Sequence, residues 1–372
     1  MIFVLSGCEQ TPPPIEPSGN IVKVGVIGSF SGPHKAWGNK GLQGIKAAQK
    51  LTPYHDNGDK IELIVEDDRD SPTHVIEVLK KLVKEDQVSA ILMLSDSDPV
   101  LAVSRISEQY IRTPVLALVA THPAITQRNS LISQLVLDNK FQATVAALFV
   151  RDELLIDRVA VFSNPNSANS TYLADEFERQ FKSVNGEISD RIVLSKKNIN
   201  HSEIIQEVRS KNPQLLYLPI NAADLIAFSK EAKKINWAPI AMSSDGMLAN
   251  VMAAHEDEIA RVEGFMATDF FGFDLPTTPF GKEVLKTYIS LYGDNATTHS
   301  GLGAEGYTLL INAMNRCDKP ANKACINKMI RSTDNFTGIQ KKISIGRDGK
   351  AKRPLIVNSV VGGELEYVAI VY

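Results

Sequence analysis

Reactive groups in an α/β chain concentrate where a glycine-bearing loop carries a strand into a helix. The stretch VGVIGSFSGPHKAWGNKG, from Val24 to Gly41, has that form. A dinucleotide fingerprint needs G-x-G-x-x-G, so that backbone meets pyrophosphate at a helix start. Here the glycines are Gly25, Gly28 and Gly32, and the spacing fails. A phosphate loop needs G-x-x-x-x-G-K-[ST], and Gly38-Asn39-Lys40 has no matching partners. A nucleophile elbow needs G-x-S-x-G, and Phe30 occupies the serine slot of Gly28-Ser29-Phe30-Ser31-Gly32. What remains is a loop with backbone N–H groups and an aromatic, Trp37, which either walls a ligand pocket or covers the core. The seven histidines are scattered, and none has H-x-x-H or H-E-x-x-H spacing. Asp67, Asp68 and Asp70 suggest a cation site at first sight, but a solvated strand end is the expected reading. No catalytic residue, metal site or cofactor is expected, and the enzyme reading lacks a motif to stand on.

The cysteines carry a different message. Cys317 and Cys325 are spaced for a small disulfide loop and fit no zinc pattern. A disulfide suits an oxidising compartment, with reduced core thiols as the alternative. Leu5-Ser6-Gly7-Cys8 matches a lipobox, in which small residues precede a cysteine that becomes lipidated. The apolar stub before it is shorter than a full signal peptide and lacks a positive start, so the true start is expected upstream. Pro12, Pro13, Pro14 and Pro17 then form an extended tether. Residues 1–19 are thus expected to be a lipoprotein signal remnant and tether, holding the folded part at a membrane through lipid on Cys8 alone.

The elements that must position any site alternate regularly. With 372 residues, the chain suits two domains, each able to bury a core. It is 44% hydrophobic and 22% charged, with net charge −3. No basic patch points to nucleic acid, and no apolar run approaches the ~20 residues of a membrane-crossing helix. Strands are expected near 22–27, 61–66, 90–94 and 114–120, with helices at 36–51, 75–84 and 99–110 between them. The pattern restarts with a helix at 140–153 and continues as strand and helix to a strand at 264–268. Helices follow near 281–292, 304–315 and 321–331, and the end is β-rich. This order implies parallel sheets with helices on both faces, in two similar halves.

Five stretches in order carry a resemblance: VGVIGSFSGPHKAWGNKGLQGIKAA, VLALVATHPAIT, SSDGM, GAEGYTLLINAM and ISIGRDGKAKRPLIV. From about Ile21 to Tyr372 the chain resembles the type I periplasmic solute-binding proteins, of the leucine/isoleucine/valine-binding branch that serves ABC transporters. The resemblance implies an α/β fold of two Rossmann-like lobes with parallel sheets, joined by a three-strand hinge and closing on a ligand like a flytrap. The crossings are expected near Asn139, Thr268 and Gly338. Lobe 1 would be 20–139 plus 269–337, and lobe 2 would be 140–268 plus 338–372. The glycine-bearing loop then becomes a binding loop: Ser31-Gly32-Pro33 shapes the entry and Trp37 lines the side-chain pocket.

Relatives that bind amino acids hold the carboxylate with lobe 1 hydroxyls and N–H groups, and the ammonium with a lobe 2 acid. Thr121 matches the carboxylate-binding threonine, with N–H groups around Ala120 assisting. Asp245 matches the ammonium-binding acid, an Asp-Gly turn being the alternative. Asp98 stands where the family has serine. At about 4 Å and an effective dielectric near 20, it would repel a ligand carboxylate by roughly 4 kcal/mol. Either Ser97 takes the role, or the ligand lacks a carboxylate or brings extra positive charge, or Asp98 simply caps the helix at Pro99. Asn169 and Asn221 replace two family tyrosines and imply a more polar cleft. The expectation is a monomeric, extracytoplasmic lipoprotein that hands a small polar ligand, an amino acid or amide-like compound, to an ABC transporter permease. The alternative is a lipid-anchored sensor or regulator on the same fold.

Overall fold

The computed structural model describes residues 15–371, apart from 107, 196–198, 255, 273–274, 276 and 294–295. Cys8 and most of the tether lie outside the described residues.

The first run is β1 (Ile21–Gly28), α1 (Lys35–Leu51), β2 (Lys60–Asp67), α2 (His74–Lys84), β3 (Ala90–Leu94), α3 (Ser97–Ser104), α4 (Glu108–Ile111), β4 (Val115–Ala117), α5 (Ala124–Gln127) and β5 (Ile132–Gln134). The second is α6 (Asn139–Leu148), β6 (Arg158–Ser163), α7 (Ala168–Ser183), β7 (Glu187–Val193), α8 (His201–Ser210), β8 (Leu215–Leu218), α9 (Ala222–Lys234), β9 (Ile240–Ser243), α10 (Met247–Ala254) and β10 (Met266–Asp269). Then come α11 (Pro279–Tyr292), α12 (Thr298–Asn315), α13 (Lys323–Ile330), β11 (Thr333–Thr337), β12 (Lys342–Ile345), β13 (Ala351–Lys352), β14 (Leu355–Val361) and β15 (Glu364–Val371).

The first sheet has order β2-β1-β3-β4-β5 and is parallel throughout. The second has order β15-β14-β10-β9-β8-β6-β7, with β14 antiparallel to both neighbours. Parallel strands covered on both faces read as continuous apolar runs whose alternate residues enter different cores. In β3, Ala90, Leu92 and Leu94 pack into one core and Ile91 and Met93 into another. In β6, Ala160 and Phe162 face one layer while Val159 and Val161 face the opposite one. The structure thus bears out two lobes with parallel sheets.

Three segments link the lobes, and Arg353 gathers them. Its buried guanidinium donates to Leu135 O at 3.4 Å in the first crossing and to Phe270 O at 3.1 Å in the second, while Arg353 itself lies in the third. Glu305 on α12 neutralises it at 2.8 Å. The third crossing comes later than Gly338. Ile339, Ile343 and Ile345 pack into the first lobe's core, and the chain rejoins the second sheet only at β14. The small sheet β11-β12-β13 explains this, because its hairpins hold 333–352 beside α12 and α13. Two further boundaries move. The expected helix 140–153 is α6 followed by a widened π turn, Phe149–Glu153. The helix expected from 304 opens at Thr298, so His299 sits in its first turn.

Glycine does its work here in packing. A Cβ on Gly44 would lie 1.9 Å from Ser300 O, and one on Gly303 would lie 2.0 Å from Gly41 O. Helices α1 and α12 therefore touch backbone to backbone, and that contact sets Trp37 against His299. Cys317 and Cys325 form a disulfide joining the end of α12 to α13, with Cα atoms 6.0 Å apart.

Candidate functional site

The segments leaving the carboxyl ends of both sheets face each other, the place where open α/β folds bind ligands. The glycine-bearing loop after β1 is tied down by the aspartates after β2. Phe30 N donates to Asp67 at 3.0 Å, His34 N donates to Asp70 at 3.1 Å, and Ser29 Oγ donates to the fully buried Asp68 at 3.1 Å. These aspartates are therefore structural anchors, and the solvated strand end expected for them is corrected. Burial pushes the Asp68 carboxyl up. At Asp70 burial acts the same way, but the His34 imidazole at 2.9 Å outweighs it and lowers the pKa.

Trp37 is buried at the start of α1. It stacks on His299 at 5.2 Å between ring centroids and meets His34 at 5.3 Å on a tilted plane. His299 belongs to lobe 1 but approaches lobe 2: a Cβ on Gly246 would lie 3.3 Å from its ring. Burial holds His299 down at about 3, so the ring is neutral, and its Nδ1 is buried without a hydrogen-bond partner. Sequence reading missed His299 because its helix was expected to start six residues later; the Thr297–Ser300 capping box was the available signal.

Of the four residues expected around a ligand carboxylate, three are engaged with one another or with lobe 2, and Ala120 is engaged within lobe 1. Thr121 N donates to Ser97 Oγ at 3.4 Å, and Ala120 O accepts from Gln134 at 2.9 Å. The Thr121 hydroxyl donates across the gap to Asn169 Oδ1 at 3.1 Å, which also accepts from Asn139 Nδ2 at 2.5 Å. Asp98 does not cap its helix. Asp96 is the N-cap residue of α3, and Asp98, inside the first turn, accepts from the N–H of Ala168 at the start of α7 at 3.3 Å. His122 meets Tyr172 edge-on at 5.1 Å beside this clasp. Asn221 is exposed and caps α9, accepting from Asp224 N at 2.9 Å, with its amide donating to the Asp224 carboxylate at 2.7 Å. Its position before an acid three residues on was the legible cap signal.

Asp245 lies between the lobes, before α10, and is partly buried. Its Oδ1 is buried with no hydrogen-bond partner. Burial raises its carboxyl to about 7, the charges of Asp269 and Asp96 push the same way, and the Gln142 amide opposes them. Asp269 ends β10 in the second crossing and accepts from Thr298 Oγ1 at 2.8 Å and from Phe270 N at 2.7 Å. Burial raises it to about 6. Asp96 is likewise raised by burial, against the pull of His34, and makes no capping bond. The site is thus a desolvated acidic crevice beside a Trp–His ring stack. Among the described residues, no three His, Cys, Asp or Glu side chains are grouped to hold a metal ion, and no helix is long and apolar enough to cross a membrane.

No curated protein sequence matches the chain. Solved structures do. The leucine-binding protein LivK of Thermotoga maritima is 25% identical over 94% of this chain and 98% of its own, with TM-score 0.86. LivJ of Streptococcus pneumoniae, solved with isoleucine, is 17% identical over 94% of this chain and 99% of its own, with TM-score 0.84. A solute-binding protein of Rhodopseudomonas palustris, solved with 3,4-dihydroxybenzoic acid, is 19% identical over 94% of this chain and 97% of its own, with TM-score 0.82. The family model described as periplasmic binding protein matches residues 21–364. With two parallel-sheet lobes meeting at the ends of their strands, the chain belongs to the periplasmic binding protein family.

Proposed function

We propose that this protein captures a small polar ligand bearing an amino group between its lobes and passes it to the permease of an ABC importer. In this reading it acts as an extracytoplasmic monomer, held at the membrane by lipid on Cys8, and catalyses no reaction. The observation that carries the reading is Asp245, a carboxylate set between two lobes with a buried oxygen that no protein donor satisfies. A buried acceptor of that kind is costly unless a ligand donor meets it. Closure is then a population shift driven by contacts to both lobes.

Thermal unfolding against amino acids, amides, amines, nucleobases and organic acids tests the reading. Ligand at 100 times its dissociation constant stabilises the native state by about 2.7 kcal/mol. The expected result is a response to amino-group compounds that Asp245→Ala abolishes. A response confined to acids or nucleobases removes Asp245 as the anchor. Silence across the panel would favour a lipid-anchored sensor or regulator.

A further inference from the structure

Building on the Asp245 reading, we infer that the crevice is made for a ligand with two separated cationic nitrogens and no carboxylate, an α,ω-diamine or a compound with that charge pattern.

The acids come from three parts of the chain. Asp96 belongs to lobe 1, Asp245 to lobe 2, and Asp269 to the crossing between them. Asp269 is committed to Thr298 and to its own neighbour's N–H. The other two keep acceptor capacity beyond the Ser97 N–H at Asp96 and the Gln142 amide at Asp245. Asp96 occupies the N-cap position of α3 without making the capping bond, and Asp245 keeps a buried, unpartnered oxygen. The strongest charge on Asp96 is His34, which Asp70 already pairs, followed by the carboxylates of Asp98 and Asp70, and the charges on Asp245 are the carboxylates of Asp269 and Asp96. One ligand nitrogen therefore leaves one lobe's acid uncompensated.

A second observation points the same way. His299 is 6% exposed, its Nδ1 lacks a partner, and its ring lies against Gly246, next to Asp245. A neutral imidazole keeps one lone pair, so it asks for a donor as well as offering one. The Trp37–His299 stack beside it suits a polymethylene chain or the face of a cation.

Several donors that would receive a carboxylate are taken. The Thr121 hydroxyl goes to Asn169, and the loop N–H groups of Phe30 and His34 go to Asp67 and Asp70. A single metal ion does not fit either, since the described acids are not grouped as ligands around one point.

The test compares α,ω-diamines of three to six carbons with monoamines and ω-amino acids of matching length, by isothermal titration of the full chain. The best diamine is expected to bind at least tenfold more tightly than its monoamine, with the ω-amino acid weakest. Asp96→Asn, checked for an unchanged melting profile, is expected to erase the diamine's advantage. The wild-type series decides the matter even if that variant fails to fold. A monoamine or ω-amino acid binding as tightly as the diamine overturns the dication while leaving Asp245 as an anchor. No binding in any amine series overturns both.

Discussion

Removing the charge of Asp245 should stabilise the protein, and by an amount that depends on pH. The carboxyl ionises near 3.8 when unfolded and near 7 when folded, so holding it ionised in the native state costs about 4 kcal/mol. The folded chain binds a proton between these values that the unfolded chain has lost. Stability from this group is therefore fully present below about pH 4 and falls as pH rises towards 7. Asp269, raised to about 6, acts in the same direction. His299, held down at about 3, acts in the opposite one, gaining stability as pH rises towards 6.5. Comparing Asp245→Asn with wild type at each pH cancels His299 and most of the Asp269 contribution, leaving only the part of Asp269 that is coupled to Asp245. The variant's advantage should grow by about 2–3 kcal/mol between pH 5 and pH 8, or roughly 5–10 °C in melting temperature for lobes of this size. Scanning fluorimetry without ligand at the two pH values reads it directly. An equal gap at both would mean that Asp245 is not desolvated and that the crevice does not demand a cation.

Three other perturbations probe the frame. Asn221→Ala should cost about 1 kcal/mol through the lost cap of α9 and leave ligand affinity unchanged, measured by unfolding and titration. Asn169→Ala, by contrast, removes the acceptor of the Thr121 and Asn139 bonds, and small-angle scattering should show a larger radius of gyration without ligand. Gly44→Ala drives a methyl group to 1.9 Å from Ser300 O and should cost about 3 kcal/mol, seen as a lower melting temperature or lost soluble yield. Glu305→Gln leaves Arg353 buried with no anion, and unfolding should show a loss of about 3–5 kcal/mol.

The alternation of strand and helix was legible because buried parallel strands must be continuously apolar and their helices amphipathic. The late third crossing was not, because Ile343 and Ile345 alternate as any half-buried strand would, and only their pairing partners say which lobe they join. Trp37 could be singled out by residue type and Asp245 by its match to the family's acidic position. Asp96 and His299 could not: Asp before a helix reads as a cap, and the histidine's role depends on a glycine contact between helices far apart in sequence. Asp98 and Asn221 exchanged parts. Asp98, for which a helix cap was one reading, reaches across the lobes, and Asn221, expected in the cleft, caps a helix.

The clasp of Thr121, Asn169 and Asn139 has a kinetic consequence. The Thr121–Asn169 bond joins the protein's own side chains across the lobes, with Asn139 holding the Asn169 amide in place, so it favours the shut arrangement whether or not a solute is present. Solute enters only through the open arrangement, so the observed association rate carries the open fraction as a multiplier. Departure must break the same bond, which lengthens residence. A binding protein latched in this way trades quick capture for long holding, and loosening the latch would change both rates before it changed which molecule is held.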